Sequence, residues 1–294
     1  MAPYLQKFYD IILLARPFNS LQPLVLFVFG VVISGGDVRH YSIYVGLLGL
    51  FLLHSAMTIW NDLNDQAVDR RNNVKTVLTQ GYISEKSLQY IVLSLSSVGI
   101  LLCIFFLPPI SALLAVLIVL FGWQYSAKPL RASHHPVGSM VFLALTYGAA
   151  PLLLGATLGQ FHQNVWLFAG AWSLARVSLS LLKDYKDAVG DAKEHKKTFL
   201  LRFGHKRVVA VSVICALLGY GGVLMLTTQF VYPEYRLGLV GLGIALIGVL
   251  IFERIRLLAA STYQAQHDLF REIGYIQLGI DGALTAWLIL LAIS

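Results

Sequence analysis

The chain has 294 residues, of which 57% are hydrophobic and only 13% charged, and its mean hydropathy is +0.71. Since about a quarter of the residues of an ordinary soluble domain are charged, this balance excludes a water-soluble globular fold and requires an integral membrane protein. A net charge of +7 would suit a nucleic-acid binder, but 19 of the 22 basic residues fall in one set of loops flanking apolar runs, which argues against nucleic acid as a partner and for membrane lipids.

In chain order, the opening stretch MAPYLQKFYDIILLARP has a broken apolar pattern with one Lys and one Arg. It predicts an amphipathic lead-in lying on the membrane rather than a cleaved signal. Apolar runs follow at 18–36, 41–60, 87–107, 109–125, 137–158, 164–182, 207–227, 236–252 and 272–293. A membrane-spanning helix needs roughly 20 residues, or fewer where neighbours cover it. The runs are continuously apolar rather than alternating, which predicts helices and not a β-barrel. The expected fold is therefore all-α, with about nine transmembrane helices around a central cavity, polar cap loops on the cytoplasmic side, and a single domain over 1–294.

Of the 22 basic residues, 19 lie before the first run or after the second, fourth, sixth and eighth. Arg39 and Arg236 fall on the other side, and Arg176 lies within a run. Positive charge marks the cytoplasmic face, so the N-terminus is expected inside and the C-terminus on the opposite side. Cys103 and Cys215 sit inside apolar runs and read as packing residues.

The second and sixth runs end in the same pattern. Asp62, Asp65 and Asp69 repeat the D-x2-D-x3-D spacing of Asp184, Asp187 and Asp191, 122 residues later. Each cluster precedes a basic loop containing glycine, so the chain reads as a repeat of about four helices, 18–125 and 137–252, plus a ninth helix. Offsets of three and seven residues bring all three carboxylates of a cluster to one helix face. Like charges there repel, and the C-terminal end of a helix is unfavourable to anions, so a cation must compensate. Solvated helix ends would explain one such turn; two at one spacing on one membrane side point to paired claws for divalent metal. Hard oxygen ligands without His or Cys suit Mg2+ and disfavour zinc.

With these motifs the chain resembles the UbiA-type intramembrane prenyltransferases. The first motif runs from Asn61 to Asp69, followed by Asn72 and GYIS at 81–84; the second comprises Asp184, Asp187, Gly190 and Asp191, then Lys197, Thr198 and Gly204. YSAKPLR at 125–131 and Arg16-Pro17 before the first run also match. Where many members have Arg-Pro twice after the first motif, this chain has Asn73-Val74 and Thr76-Val77, leaving Lys75, Arg70 and Arg71 as the available cations. The resemblance implies Mg2+-dependent transfer of a prenyl group from an isoprenyl diphosphate donor to a hydrophobic, aromatic or lipid acceptor, through ionisation to an allylic cation. It implies catalytic roles for Asp62, Asp65, Asp184 and Asp187, with Asp69 and Asp191 completing the metal sites. Asn61, Lys75, Lys128, Arg131 and Lys183 are expected at the diphosphate.

Within the runs, polar side chains are expensive unless paired or facing a cavity. His54, Tyr147 and Arg176 are candidates for lining the pocket; His54 reads better as a hydrogen-bonded core histidine, and Arg176 equally well as a structural partner of Asp281 in the last run. Tyr147 offers an aromatic face to a carbocation. His134 and His135 lack a third ligand. Two other readings use the same residues. A terpene synthase would ionise the diphosphate and cyclise the cation without an acceptor. A transporter would bind cations or anions at the carboxylates, although transporters place such groups nearer the bilayer midplane.

Overall fold

The computed structural model describes residues 16–66, 78, 83–193, 196–230 and 232–293, apart from the side chains of 17–19, 186, 187, 189 and 288–293. Asp69, Lys75, Arg70, Arg71, Asn72 and the Gly-Tyr of GYIS lie outside the described residues, as does the side chain of Asp187. Each apolar run is helical over most of its described length, and no strand occurs among the described residues. We number the helices α1 (Pro17–Ile33), α2 (Ser42–Asn64), α3 (Glu85–Phe106), α4 (Pro109–Ser126), α5 (Pro136–Ala156), α6 (Gln163–Ser180), α7 (Asp184–Lys193), α8 (Phe199–Phe203), α9 (His205–Thr227), α10 (Pro233–Ala259) and α11 (Tyr263–Ile293). Six of these segments, α2, α3, α4, α5, α9 and α10, are long and apolar enough to cross a membrane. In α6 the run is diluted by Arg176 and by Ser173, Ser178 and Ser180.

Local sequence sets the helix ends. Pro17, Pro109, Pro136 and Pro233 open α1, α4, α5 and α10, where a missing N–H costs nothing. Ser84 and Thr198 cap α3 and α8 by accepting the N–H of Ser87 and Leu201. Gly204, at φ 79°, makes the left-handed joint between α8 and α9.

The most extensive packing is α2 on α3 and α6 on α9. Helix α1 crosses α5 so closely that a Cβ on Gly30 or Gly155 would fall 2.0 Å from the Leu152 carbonyl oxygen or 1.9 Å from that of Phe27. One apolar core joins α1, α5, α6, α9, α10 and α11 around Phe29, Phe168 and Trp172; a second joins α1 to α5 around Phe27, Leu50 and Ile118. Large apolar side chains stay exposed along α3 and α10, the surface a lipid solvent accepts.

The structure corrects the expected setting of both aspartate clusters. Helix α2 ends at Asn64, and Asp65 caps it at φ −97°, ψ 6°. The sixth run does not continue into its cluster: the helix stops at Ser180, Leu181–Lys183 turn, and α7 begins at Asp184. Asp184 therefore stands at a helix N-terminus, where the macrodipole favours an anion.

Candidate active site

Asp65 of the first cluster and Asp184 and Asp191 of the second line one cavity of about 290 Å3, together with Arg16, Asn61, Tyr125, Tyr147, Lys183, Lys196 and Thr198 among others, while Asp62 lies behind Arg16 and does not line it. On the first side, Asp62 is almost fully buried at the end of α2, and the Arg16 guanidinium reaches it at 2.7 Å. Asn61 spans two elements: its amide donates to Asp65 at 3.1 Å and its carbonyl accepts the Ser126 hydroxyl at 2.9 Å, tying α2 to the end of α4.

On the second side, Asp184 and Asp191 are buried. Burial raises the Asp184 carboxyl above the usual range, and the Asp191 charge adds to the rise. Lys183 and the backbone N–H groups of Leu200 and Phe199 oppose it. Lys183 donates to the Tyr125 hydroxyl and lies 4.8 Å from the centre of that ring. Burial alone would lower the Lys183 ammonium, but Tyr125 and Asp184 outweigh it, so the lysine is held charged. Next to Asp184, Tyr185 donates its hydroxyl to Nδ1 of His205 at 2.6 Å, while Nε2 of His205 donates to the Leu258 carbonyl at 3.1 Å. The acceptor-only carbonyl fixes this tautomer.

Lys196 connects the two sides. Its ammonium lies 3.0 Å from Asp191 and 3.7 Å from Asp65, and its side chain is largely buried. Burial opposes its charge, but Asp65 and Asp191 outweigh that and raise its pKa. Arg16 and Lys196 are thus the compensating cations that the clusters require. Among the described residues no three carboxylate, imidazole or thiol groups converge on one point; Asp65 and Asp191 instead flank the Lys196 ammonium. The donor set is nonetheless right for a hard divalent ion: carboxylate oxygens and the Asn61 carboxamide, without nitrogen or sulfur.

Other expected residues fall differently. Lys128 is exposed, and neither it nor Arg131 borders the cavity, because the turn after α4 carries both away while Tyr125 and Ser126 face inward. His54 is buried behind the site, its ring 4.9 Å from that of Tyr147 in an edge-to-face contact, and it does not line the cavity. Tyr147 does line it, carried on a π-turn at Leu145–Ala149 inside α5, a distortion frequent at functional sites. Arg176 pairs with Asp281 at 2.5 Å and borders a neighbouring chamber. Sequence reading noticed Arg16 and Tyr125 only as parts of motifs and treated Lys196 as one loop cation among several. In the fold Arg16 and Lys196 are held by aspartates and Tyr125 by Lys183, and the only signal of this in the chain is that clustered carboxylates need cations from somewhere.

A family model described as the UbiA prenyltransferase family matches residues 23–278. The chain is 28% identical to digeranylgeranylglyceryl phosphate synthase of Pyrococcus abyssi, over 81% of this chain and 82% of that protein. It is 25% identical to the Methanosphaera stadtmanae protein of the same name, over 95% and 96%. With the bacteriochlorophyll synthase 34 kDa chain of Chloroflexus aurantiacus the identity is 22%, over 74% and 71%. A UbiA homolog from Archaeoglobus fulgidus, solved bound to GPP and Mg2+, has the same fold, with a TM-score of 0.73 at 17% identity over 95% of this chain and 99% of that one.

Proposed function

The chain belongs to the UbiA prenyltransferase family, and from that premise we propose that it is an Mg2+-dependent, multi-pass membrane enzyme that moves a prenyl group from an isoprenyl diphosphate to a hydrophobic acceptor. The observation that carries this reading is the meeting of both aspartate clusters on one cavity, joined through Lys196. Asp62, Asp65, Asp184 and Asp191 would hold the metal, with Asp69 and Asp187 assigned to the same claws by spacing. When bound, Mg2+ supplies neutralising charge to the pyrophosphate leaving group. Lys183, held charged and aimed by Tyr125, sits where it binds diphosphate oxygens; Arg16 and Lys196 are the further cations at the wall. These three take the role expected of Lys128 and Arg131. Tyr147 stands at the apolar end, where its ring faces the developing allylic cation and the surrounding Leu143 and Met57 exclude water.

The proposed topology has nine crossing helices in one domain, the N-terminus and the cap loops cytoplasmic and the C-terminus outside. The matching pairs α2 on α3 and α6 on α9 support the repeat of 18–125 and 137–252. A second chamber adjoining the diphosphate cavity, with Leu143, Tyr147 and Lys183 in the walls of both, favours transfer to an acceptor over unimolecular cyclisation. Two of the relatives are named for a glyceryl phosphate product, so a glyceryl phosphate lipid is the first acceptor to try.

The test is pyrophosphate release by purified protein supplied with isoprenyl diphosphates of several lengths, Mg2+ and acceptor, against an Asp62→Asn, Asp184→Asn double variant. Release confined to the wild type is expected. No release from folded wild type, or equal release from both, would overturn the assignment. A hydrocarbon or terpene alcohol formed without acceptor would turn it to cyclisation.

A further inference from the structure

Between Glu194 and Glu234 the chain has no Asp or Glu. Within that stretch Lys197, Arg202, Lys206 and Arg207 fall in eleven residues around the α8–α9 joint, and all four are exposed. Among the described residues none of the four makes an ion pair, and none lines the diphosphate cavity or its neighbouring chamber. The register of α9 shows what these cations meet. At about 100° per residue, Ile214, Leu218 and Met225 lie within about 20° of Arg207 on the helix, and they are 54%, 59% and 71% exposed. Leu217, also exposed, stands in the same way below Lys206. From Arg207 to Met225 the helix rises about 27 Å, close to the hydrocarbon thickness of a bilayer. Lys206 and Arg207 therefore top the lipid-facing side of α9 at the level of the headgroups, and Leu201, beside Arg202, adds an exposed apolar side chain to the joint.

The inner side of the same joint builds the second claw. Phe199 and Leu200 pack against Leu181, Leu182 and Tyr185, and their backbone N–H groups face Asp184. Thr198 caps α8 at the cavity wall, and Lys196 holds Asp191 and Asp65. His205 ties the joint to Tyr185 on one side and to the Leu258 carbonyl at the end of α10 on the other. The segment thus has an inner face committed to the aspartates and an outer face of cations that repel one another without a carboxylate to offset them.

We propose that the α8–α9 joint is a docking surface for anionic phospholipid headgroups, and that headgroups seated on Arg202, Lys206 and Arg207 hold the joint, and with it the second claw, in place. Charge complementarity selects the occupant: a Lys or Arg at an anionic bilayer surface strengthens association about fivefold, and a guanidinium grips phosphate oxygens in particular. A zwitterionic headgroup carries its own cation and offers less. The part that concerns the claw rests on the metal-binding reading above; the lipid preference does not.

The test titrates the full chain, in a neutral detergent, with phosphatidylglycerol or with phosphatidylcholine of the same acyl chains and reads the melting temperature. Wild type is expected to be stabilised at about tenfold lower concentrations of phosphatidylglycerol. The double variant Lys206→Gln, Arg207→Gln should lose that preference. The double variant Lys86→Gln, Lys128→Gln, which removes the same charge from exposed positions elsewhere, should keep it. Arg202→Gln should weaken it by about fivefold, and it keeps the test decisive if the first double variant fails to fold. With phosphatidylglycerol bound, the Mg2+ concentration that gives half of its full rise in melting temperature should fall about fivefold in wild type and stay unchanged in Lys206→Gln, Arg207→Gln. Equal stabilisation by the two lipids, or an equal loss in both double variants, overturns the docking surface. An unshifted Mg2+ response with the lipid preference intact overturns its coupling to the claw. None of these readouts requires turnover, so absence of pyrophosphate release would overturn prenyl transfer and leave the lipid test standing.

Discussion

The two aspartate clusters share a spacing but not a setting. Asp62 is carried to the end of a long apolar helix, against its dipole, and is neutralised by Arg16, 46 residues earlier in the chain. Asp184 opens its own short helix, with the dipole, and its carboxyl faces the backbone N–H groups of Leu200 and Phe199. The counter-charge of Asp191 comes from Lys196 in the same loop. One claw depends on a distant element packing correctly; the other is built almost entirely from its own segment. A spacing motif therefore fixes which way carboxylates point, while the cations that make them tolerable come from elsewhere in the fold.

The hardest test of the comparison is to remove the carboxylates. Asp→Asn at 62, 65, 184 or 187 keeps the shape and removes the charge, and each is expected to lower prenyl transfer about 10²- to 10³-fold, read as product formed per minute by protein with an unchanged gel-filtration profile. Asp69→Asn and Asp191→Asn should be milder. Near-normal turnover in the first four would remove the paired-claw mechanism.

Removing the counter-ions separates the two settings. Arg16→Met leaves the Asp62 carboxylate buried without the cation seen at 2.7 Å. Breaking a fully buried pair costs about 3–5 kcal/mol. Because the Arg16 side chain is 35% exposed, water shares the load, and a loss of about 2 kcal/mol is expected. Lys196→Met removes the ion shared by Asp65 and Asp191, so its melting temperature should rise more steeply with added Mg2+ than that of wild type. Equal Mg2+ responses would mean that the lysine does not stand between the claws in solution.

Tyr185→Phe is smaller again. It deletes one hydrogen bond, to Nδ1 of His205, and leaves the ring packed; a loss of about 1 kcal/mol is expected, checked by thermal unfolding of the two proteins in the same detergent. Turnover should fall less than for any aspartate change, because Tyr185 supports the second claw without facing the cavity.

Much of this was legible in the sequence. The helical runs, the paired motifs, Asn61, Lys183, Tyr147 and the Arg176–Asp281 pair each carry a local signature: a run length, a spacing, or an ionisable group where lipid forbids an unpaired one. The break at Leu181–Lys183 was not legible, since the apolar run continues through Leu181 and Leu182; those residues, with Tyr185, pack against α9, α10 and α11 rather than extending α6. The partners Arg16 and Lys196 were equally hidden, because pairing across 46 or 131 residues is a product of helix packing and leaves no period in the chain. Nor could sequence say which loop cations turn inward: Lys128 and Lys183 both follow an apolar run, yet it is Lys183 that meets the half-buried Tyr125 hydroxyl and the buried Asp184 carboxylate.

That last contrast gives the smallest expected effect. Lys128→Ala removes an exposed side chain that borders neither cavity. Stability should change by less than about 0.5 kcal/mol, and turnover by less than about twofold, since the group is screened by water and shares no partner with the claws. Lys183→Met removes the cation held over Tyr125 at the cavity wall and should raise the donor KM and lower kcat together. A tenfold loss in Lys128→Ala would show that the turn after α4 closes over the bound diphosphate, and would return Lys128 to the donor site.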